Sequence, residues 1–256
     1  MNGRKGYIFY NLIKKDLLEK KTGALIAAGL NLIAFAVLFI CRTQIISLSG
    51  NSDNPAAFYA GITLLLGLLW TLWSSVRSLS LEWELNTVSL VMSLPVTGVW
   101  TLGAKIISTL ALFTGLLAEG VILTCLISFS SGAGFIPVYD EVPLYALNAA
   151  LFYLYLLIAA AVIIVLCQLA FTINRLFGKH SKLLTFASLV AVLWLFLRGS
   201  ALLSKLVDLL GLPDVRMFAI RDFNDYTNPS PLIAVLLITA GFFLVTARLH
   251  DRVLEA

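Results

Sequence analysis

Residues 77–105 read RSLSLEWELNTVSLVMSLPVTGVWTLGAK and lie between two strongly apolar runs. The stretch carries two carboxylates, Glu82 and Glu84, spaced two apart and followed by the polar pair Asn86 and Thr87. Val88 to Leu94 is helix-prone, with apolar side chains at Val88, Leu90, Val91, Met92 and Leu94. Pro95 ends that run, because it lacks a backbone N–H and disfavours helix at the residue before it. Thr97 is placed to cap a new helix that climbs back into lipid. A short helix framed by acids, closed by proline and held between two membrane crossings reads as a docking element for something in the cytosol.

The flanking sequence sets that stretch in a membrane. The chain of 256 residues is 60% hydrophobic and 12% charged, with a mean hydropathy of +0.95. Soluble domains are about half apolar and a quarter charged, so this composition belongs to an integral membrane protein. The net charge of +4 raises a nucleic-acid reading, but no basic run is interleaved with aromatics, and no nucleic-acid partner is expected. The lysines and arginines instead sit at the ends of apolar runs, where they orient the chain and meet anionic membrane lipid.

Upstream, residues 5–21 (KGYIFYNLIKKDLLEKK) place Ile8, Phe9, Leu12, Ile13, Leu17 and Leu18 at helical spacing, with Lys14, Lys15, Glu19 and Lys20 largely between them. This pattern predicts an amphipathic elbow helix lying along the membrane surface. It is not the pattern of a cleavable signal. Six spans follow at 23–41, 56–76, 99–130, 144–171, 183–197 and 232–247, each near the ~20 residues a bilayer needs or longer, the fifth being the shortest. Residues 131–143 form a turn bearing Asp140 and Glu141, and Asn174 to Lys182 a basic turn. Within 198–231, Ser200 to Leu210 is apolar but too short to cross, which predicts a re-entrant or interfacial helix on the outer side.

The expected fold is therefore an all-α polytopic membrane protein with one transmembrane domain over 1–256. With the N-terminus inside, 13 of the 18 lysines and arginines fall in cytoplasmic segments. The five outer ones include four in the longest loop, beside four aspartates. The positive-inside bias places both termini and the 77–100 loop in the cytosol.

The loop resembles that of the type-2 ABC transporter permease family: an alternating acidic pair, Gly-Thr, a leucine-rich turn, Ser-Leu-Pro, and a lysine about ten residues on. Here these are Glu82 and Glu84, Asn86-Thr87, Leu90 to Met92, Ser93-Leu94-Pro95 and Lys105. Asn86 stands where the family usually has glycine, a mild departure since Asn tolerates left-handed backbone. Gly98 stands where a polar or basic residue is common. The resemblance implies a permease subunit of an exporter, paired with a second permease subunit, identical or homologous, and seated on a separate ABC ATPase subunit. It implies that Glu82, Glu84, Asn86, Thr87, Leu90, Met92, Leu94 and Pro95 couple to that ATPase, with Glu82 and Glu84 making polar contacts or bracing the elbow helix. ATP and Mg²⁺ would bind the partner; this chain is expected to bind no cofactor or metal. A compact outer side suits a hydrophobic or amphipathic cargo, such as a drug, an antimicrobial peptide or a lipid-like molecule, moved across a bacterial plasma membrane.

Outside the loop, Glu119 is the one ionisable residue deep in a span, where a carboxylate costs several kcal/mol unless it faces the protein interior or is protonated. It reads either as a substrate-pathway group, together with Asn31, the strongly polar side chain of the first span, or as a residue holding spans together through Asn31. The small-residue pairs Ala57/Gly61 and Ala146/Ala150 offer close helix approaches. Trp70, Trp73, Trp83 and Trp100 read as interfacial anchors, His180 and His250 as interfacial caps, and Cys41, Cys125 and Cys167 as small buried hydrophobes. No G-x-x-x-x-G-K-[ST] phosphate loop occurs: Gly178-Lys179 lacks the upstream glycine and precedes His180. G-x-S-x-G and H-E-x-x-H are also absent. Two other classes stay open at this point. One is an ion- or proton-coupled secondary transporter using Glu119, for which internal repeats and broken helices would be wanted; the other is a non-transporting scaffold.

Overall fold

The computed structural model describes residues 2–49, 55–84, 97–130, 142–176, 182–211, 213, 215–220, 223–227 and 229–255. Its helices are α1 (Asn2–Ser49), α2 (Pro55–Glu84), α3 (Gly98–Ser130), α4 (Val142–Leu176), α5 (Lys182–Asp208) and α6 (Ser230–Glu255). Each of the six is long and apolar enough to cross a membrane. A two-stranded antiparallel hairpin, β1 (Val215–Ile220) with β2 (Phe223–Thr227), pairs Val215 with Thr227 and Ile220 with Phe223. Among the described residues the regular elements are thus helices, apart from this small hairpin in the 198–231 segment.

Two elements differ from the sequence reading. The elbow at 5–21 is continuous with the first span, because no proline interrupts residues 2–49 and the single glycine at their junction, Gly23, does not break a helix. At 1.5 Å per residue α1 runs about 72 Å, more than twice the ~30 Å hydrocarbon thickness, so a long part of it stands outside the bilayer. Likewise the apolar stretch 200–210 does not form a separate re-entrant helix. It prolongs the fifth span into α5, which closes through Leu210 N–H to the Val207 carbonyl at 3.0 Å and Gly211 N–H to the Asp208 carbonyl at 3.1 Å. Gly211 has a φ of +60°, the left-handed conformation in which glycine ends helices at no steric cost.

The helices pack as two sets of three. α1, α2 and α3 pack on one another, as do α4, α5 and α6, and α4 joins the sets through α2 and α3 while α6 reaches α3. Ala27, Trp70, Phe113, Leu116, Leu117 and Ala160 form the core between α1, α2, α3 and α4. Leu79, Leu102, Phe171 and Ala247 fill the junction of α2, α3, α4 and α6. In lipid, such contacts are held by packing and polar bonds rather than by exclusion of water. Close approach occurs at Gly120, where a Cβ would overlap the Thr63 side chain, whereas Gly61 faces open space and Ala150 is exposed. Of the other small residues proposed for contact, Ala57 and Ala146 have side chains outside the described residues.

Among the interfacial residues, Trp73 and Trp100 are exposed, but Trp70 and His250 are buried, as helix faces turned into the bundle require. Cys167 is buried, Cys41 is half-buried, and Cys125 is exposed. His180 and the Trp83 side chain lie outside the described residues.

Candidate functional site

Three helices each carry polar side chains one turn apart, and these three faces meet. On α1 they are Asp16 and Lys20; on α2, Ser78 and Glu82; on α3, Lys105 with Ser108 and Thr109. Residues three and four apart share a helix face, so each helix presents its set toward the same point. The Lys20 ammonium lies 2.5 Å from Asp16 Oδ2, 2.7 Å from Thr109 Oγ1, 3.1 Å from Ser108 Oγ and 3.3 Å from the Lys105 carbonyl. The Lys105 ammonium lies 2.9 Å from Glu82 Oε1, and donates to the Ser78 carbonyl at 3.3 Å. It also stands 3.5 Å from Asp16 Oδ1, an ion pair without a hydrogen bond, since that oxygen accepts none. Ser108 donates to Asp16 Oδ2, and Thr109 to the Lys105 carbonyl at 2.7 Å.

Electrostatics explains why the cluster is tolerated. An isolated buried ion loses its hydration and must be paired and hydrogen-bonded to persist. Here two ammonium groups face two carboxylates, so the formal charge sums to zero. The enclosed space beside Asp16, Glu82 and Lys105 is about 20 Å³, enough for about one water molecule and for no cargo. The arrangement can hold three helices in register.

From this cluster the loop departs and returns. Glu84, the last residue of α2, is exposed and paired with Arg77 at 3.4 Å. Asn86, Thr87, Leu90, Met92, Leu94 and Pro95 lie outside the described residues. α3 begins at Gly98, after Thr97, whose carbonyl accepts from Trp100 N–H at 2.9 Å. The carboxylate at this helix start comes from across the fold: Asp251 of α6 accepts the Gly98 N–H at 2.6 Å, favourably placed at a positive helix end. Gly98 is needed for that approach, since a Cβ there would lie 2.7 Å from the Ala247 carbonyl oxygen and 2.8 Å from Asp251 Oδ1. Glycine at position 98 thus has a steric reason.

Deeper in the bundle, Asn31 is buried and its Oδ1 accepts from Tyr59 at 3.0 Å and from Thr63 at 2.9 Å, tying α1 to α2. Its Nδ2 is buried without an acceptor, so it does not reach Glu119. Glu119 is half-buried on α3, next to the Gly120 that packs on Thr63. The structure therefore brings Asn31 together with Tyr59 and Thr63, and leaves Glu119 beside that layer rather than bonded into it.

Comparison with protein-family models, curated proteins and solved structures finds no match to this chain.

Sequence reasoning missed Asp16, Ser108 and Thr109 and read Lys20 as part of the polar face of an amphipathic helix; Lys20 and Lys105 are both buried in the bundle. A signal was present: an acid and a lysine at i, i+4 in one segment, and a lysine followed by hydroxyls at i+3 and i+4 in another. Each set is more polar than its surroundings require.

Proposed function

We propose that the chain is the transmembrane permease subunit of an ATP-driven ABC exporter, with the 82–95 stretch as the element that docks on a separate ATPase subunit. One observation carries the reading beyond the resemblance. The chain is fastened at the start of that stretch, by Glu82 to Lys105 at 2.9 Å, and just past its end, by the Gly98 N–H to Asp251 at 2.6 Å. A peg that receives force has to be tied to what it moves. Through Lys105 and Asp16 the tie extends to α1, and through Asp251 to α6. Closure of the ATPases on ATP would then bias a two-state arrangement of the helices.

In this reading Glu84, Asn86, Thr87, Leu90, Met92, Leu94 and Pro95 meet the ATPase, while Glu82 braces the foot of α1. ATP and Mg²⁺ belong to the partner. A second permease subunit, identical or homologous, completes the pathway, and the cargo is hydrophobic or amphipathic and leaves a bacterial cell across its plasma membrane. The surface available to that second subunit is large, since the apolar windows of α1 and α5 are each only 11% buried within the chain. Both termini and the 77–100 loop lie in the cytosol, in line with the charge bias.

The test is co-purification of the full chain with an ATP-hydrolysing subunit from its native membrane, together with labelling of a cysteine placed at Glu84. Retention of such a subunit and labelling from the cytosolic side are expected. Labelling from the outside refutes the assignment.

A further inference from the structure

Between α1 and α2 a lipid-facing furrow runs down from the charged cluster toward the middle of the bundle. Its deeper part, about 300 Å³, is lined by Ile26, Leu30, Leu66, Leu69, Trp70 and Trp73. Its upper part, about 180 Å³, adjoins it through Gly23, Ile26 and Trp73 and is lined by Thr22, Ser74, Arg77 and Ser78. Gly23 keeps the junction open: a Cβ there would come within 2.7 Å of the Trp73 ring.

Two polar groups in this furrow have no partner among the described residues. Ser74 is 2% exposed and Trp70 6% exposed, yet neither Ser74 Oγ nor Trp70 Nε1 makes a hydrogen bond. A buried donor left unpaired costs roughly 1–3 kcal/mol, so two in one furrow point to an occupant that accepts from both. They form a ladder with Arg77. At 1.5 Å per residue, positions 70, 74 and 77 span about 10 Å of one helix, with the apolar end deep and the guanidinium at the level of the cluster. Of the other charges lining the upper part, Lys20 is held by the buried Asp16 at 2.5 Å, and Glu19 pairs with Lys15 at 3.5 Å on the exposed side of α1. Arg77 meets Glu84 at 3.4 Å in an exposed pair, a contact easily exchanged.

We infer that the furrow holds one glycerophospholipid, with an acyl chain along Ile26, Leu30, Leu66 and Leu69, an ester oxygen on Trp70 Nε1 and the phosphate on Ser74 and Arg77. The order of the donors matches the order of acceptors in that lipid class: chain, ester, then phosphate. The inference does not depend on transport or on any ATPase.

Native mass spectrometry of the full chain in detergent, with phosphatidylglycerol added, tests it. One bound lipid per chain is expected. Arg77→Gln, which changes an exposed side chain, should weaken retention about tenfold, the scale of one charge-assisted hydrogen bond. Gly23→Leu should abolish it, and diacylglycerol, which lacks the phosphate, should not be retained. Unchanged retention in Arg77→Gln, or equal retention of diacylglycerol, overturns the phosphate assignment. Displacement by millimolar inorganic phosphate overturns the lipid as occupant. Should Gly23→Leu fail to fold, the Arg77 and diacylglycerol arms still decide.

Discussion

Replacing Lys105 by methionine keeps the length of the side chain and removes one charge from the cluster. The Lys105 side chain is 6% exposed, Asp16 6% and Glu82 14%. Breaking a buried ion pair by deleting one partner costs about 3–5 kcal/mol, because the other charge stays buried. The lower end applies here, since Glu82 keeps some contact with solvent and Asp16 keeps Lys20 at 2.5 Å. About 3 kcal/mol is therefore expected, or a midpoint lowered by about 6–12 °C on the scaling for chains of this size. Removing the carboxylate as well, in Lys105→Met/Glu82→Gln, should restore about half of the loss, since neighbours in one network are not additive. The assay is reversible unfolding of the full chain in mixed micelles. Glu84→Ala serves as the reference and should stay within about 0.5 kcal/mol, because its pair with Arg77 is exposed. A Lys105→Met chain as stable as that reference would refute the idea that the cluster braces the helices.

Gly98→Ala should destabilise by about 1–3 kcal/mol, since its Cβ would meet the Ala247 carbonyl and Asp251; a midpoint within a degree of wild type would show that α3 and α6 part easily. Asn31→Leu leaves the Tyr59 and Thr63 hydroxyls without their acceptor and should cost about 1–3 kcal/mol by the same unfolding assay. For the proposed docking role, Glu84→Ala and Leu90→Asp should leave the chain in the membrane but uncouple the ATP hydrolysis of a co-purified ATPase from transport, measured with the reconstituted complex. Unchanged transport in both removes the docking role.

The number and course of the spans were legible because an apolar run of membrane length has few other uses, and six such helices are present. What stayed hidden followed from continuity. The pattern at 5–21 is amphipathic, and amphipathic helices on a membrane surface usually end before the span; nothing in composition says that α1 instead passes Gly23 unbroken. Residues 200–210 looked too short to cross, yet they need not stand alone when Leu197 to Ser200 is also helical. The polar layer failed for another reason. Lys20 and Lys105 are 85 positions apart, and a lysine beside an apolar run reads as an interfacial charge unless its counter-ions are known to be near. Only the packing of α1 on α3 brings Asp16 to Ser108 and Lys105.

That packing also explains why ions, rather than leucines, occupy the foot of α1. Between helices in lipid, apolar side chains gain little over the lipid they replace, and they do not distinguish one register from the next. A slip of α1 by one turn, about 5.4 Å, would leave its apolar face still covered by other apolar groups. The same slip would part Asp16 from Ser108 and Lys105, and Lys20 from Ser108 and Thr109, while the Asp16–Lys20 and Glu82–Lys105 pairs stay intact; each buried polar contact left unmade costs about 1–3 kcal/mol. The cluster therefore fixes register where hydrophobic contact would not. In the proposed docking role, a displacement at Glu82 would pass to Lys105 and Asp16 through their ion pairs, and so to the feet of α2, α3 and α1.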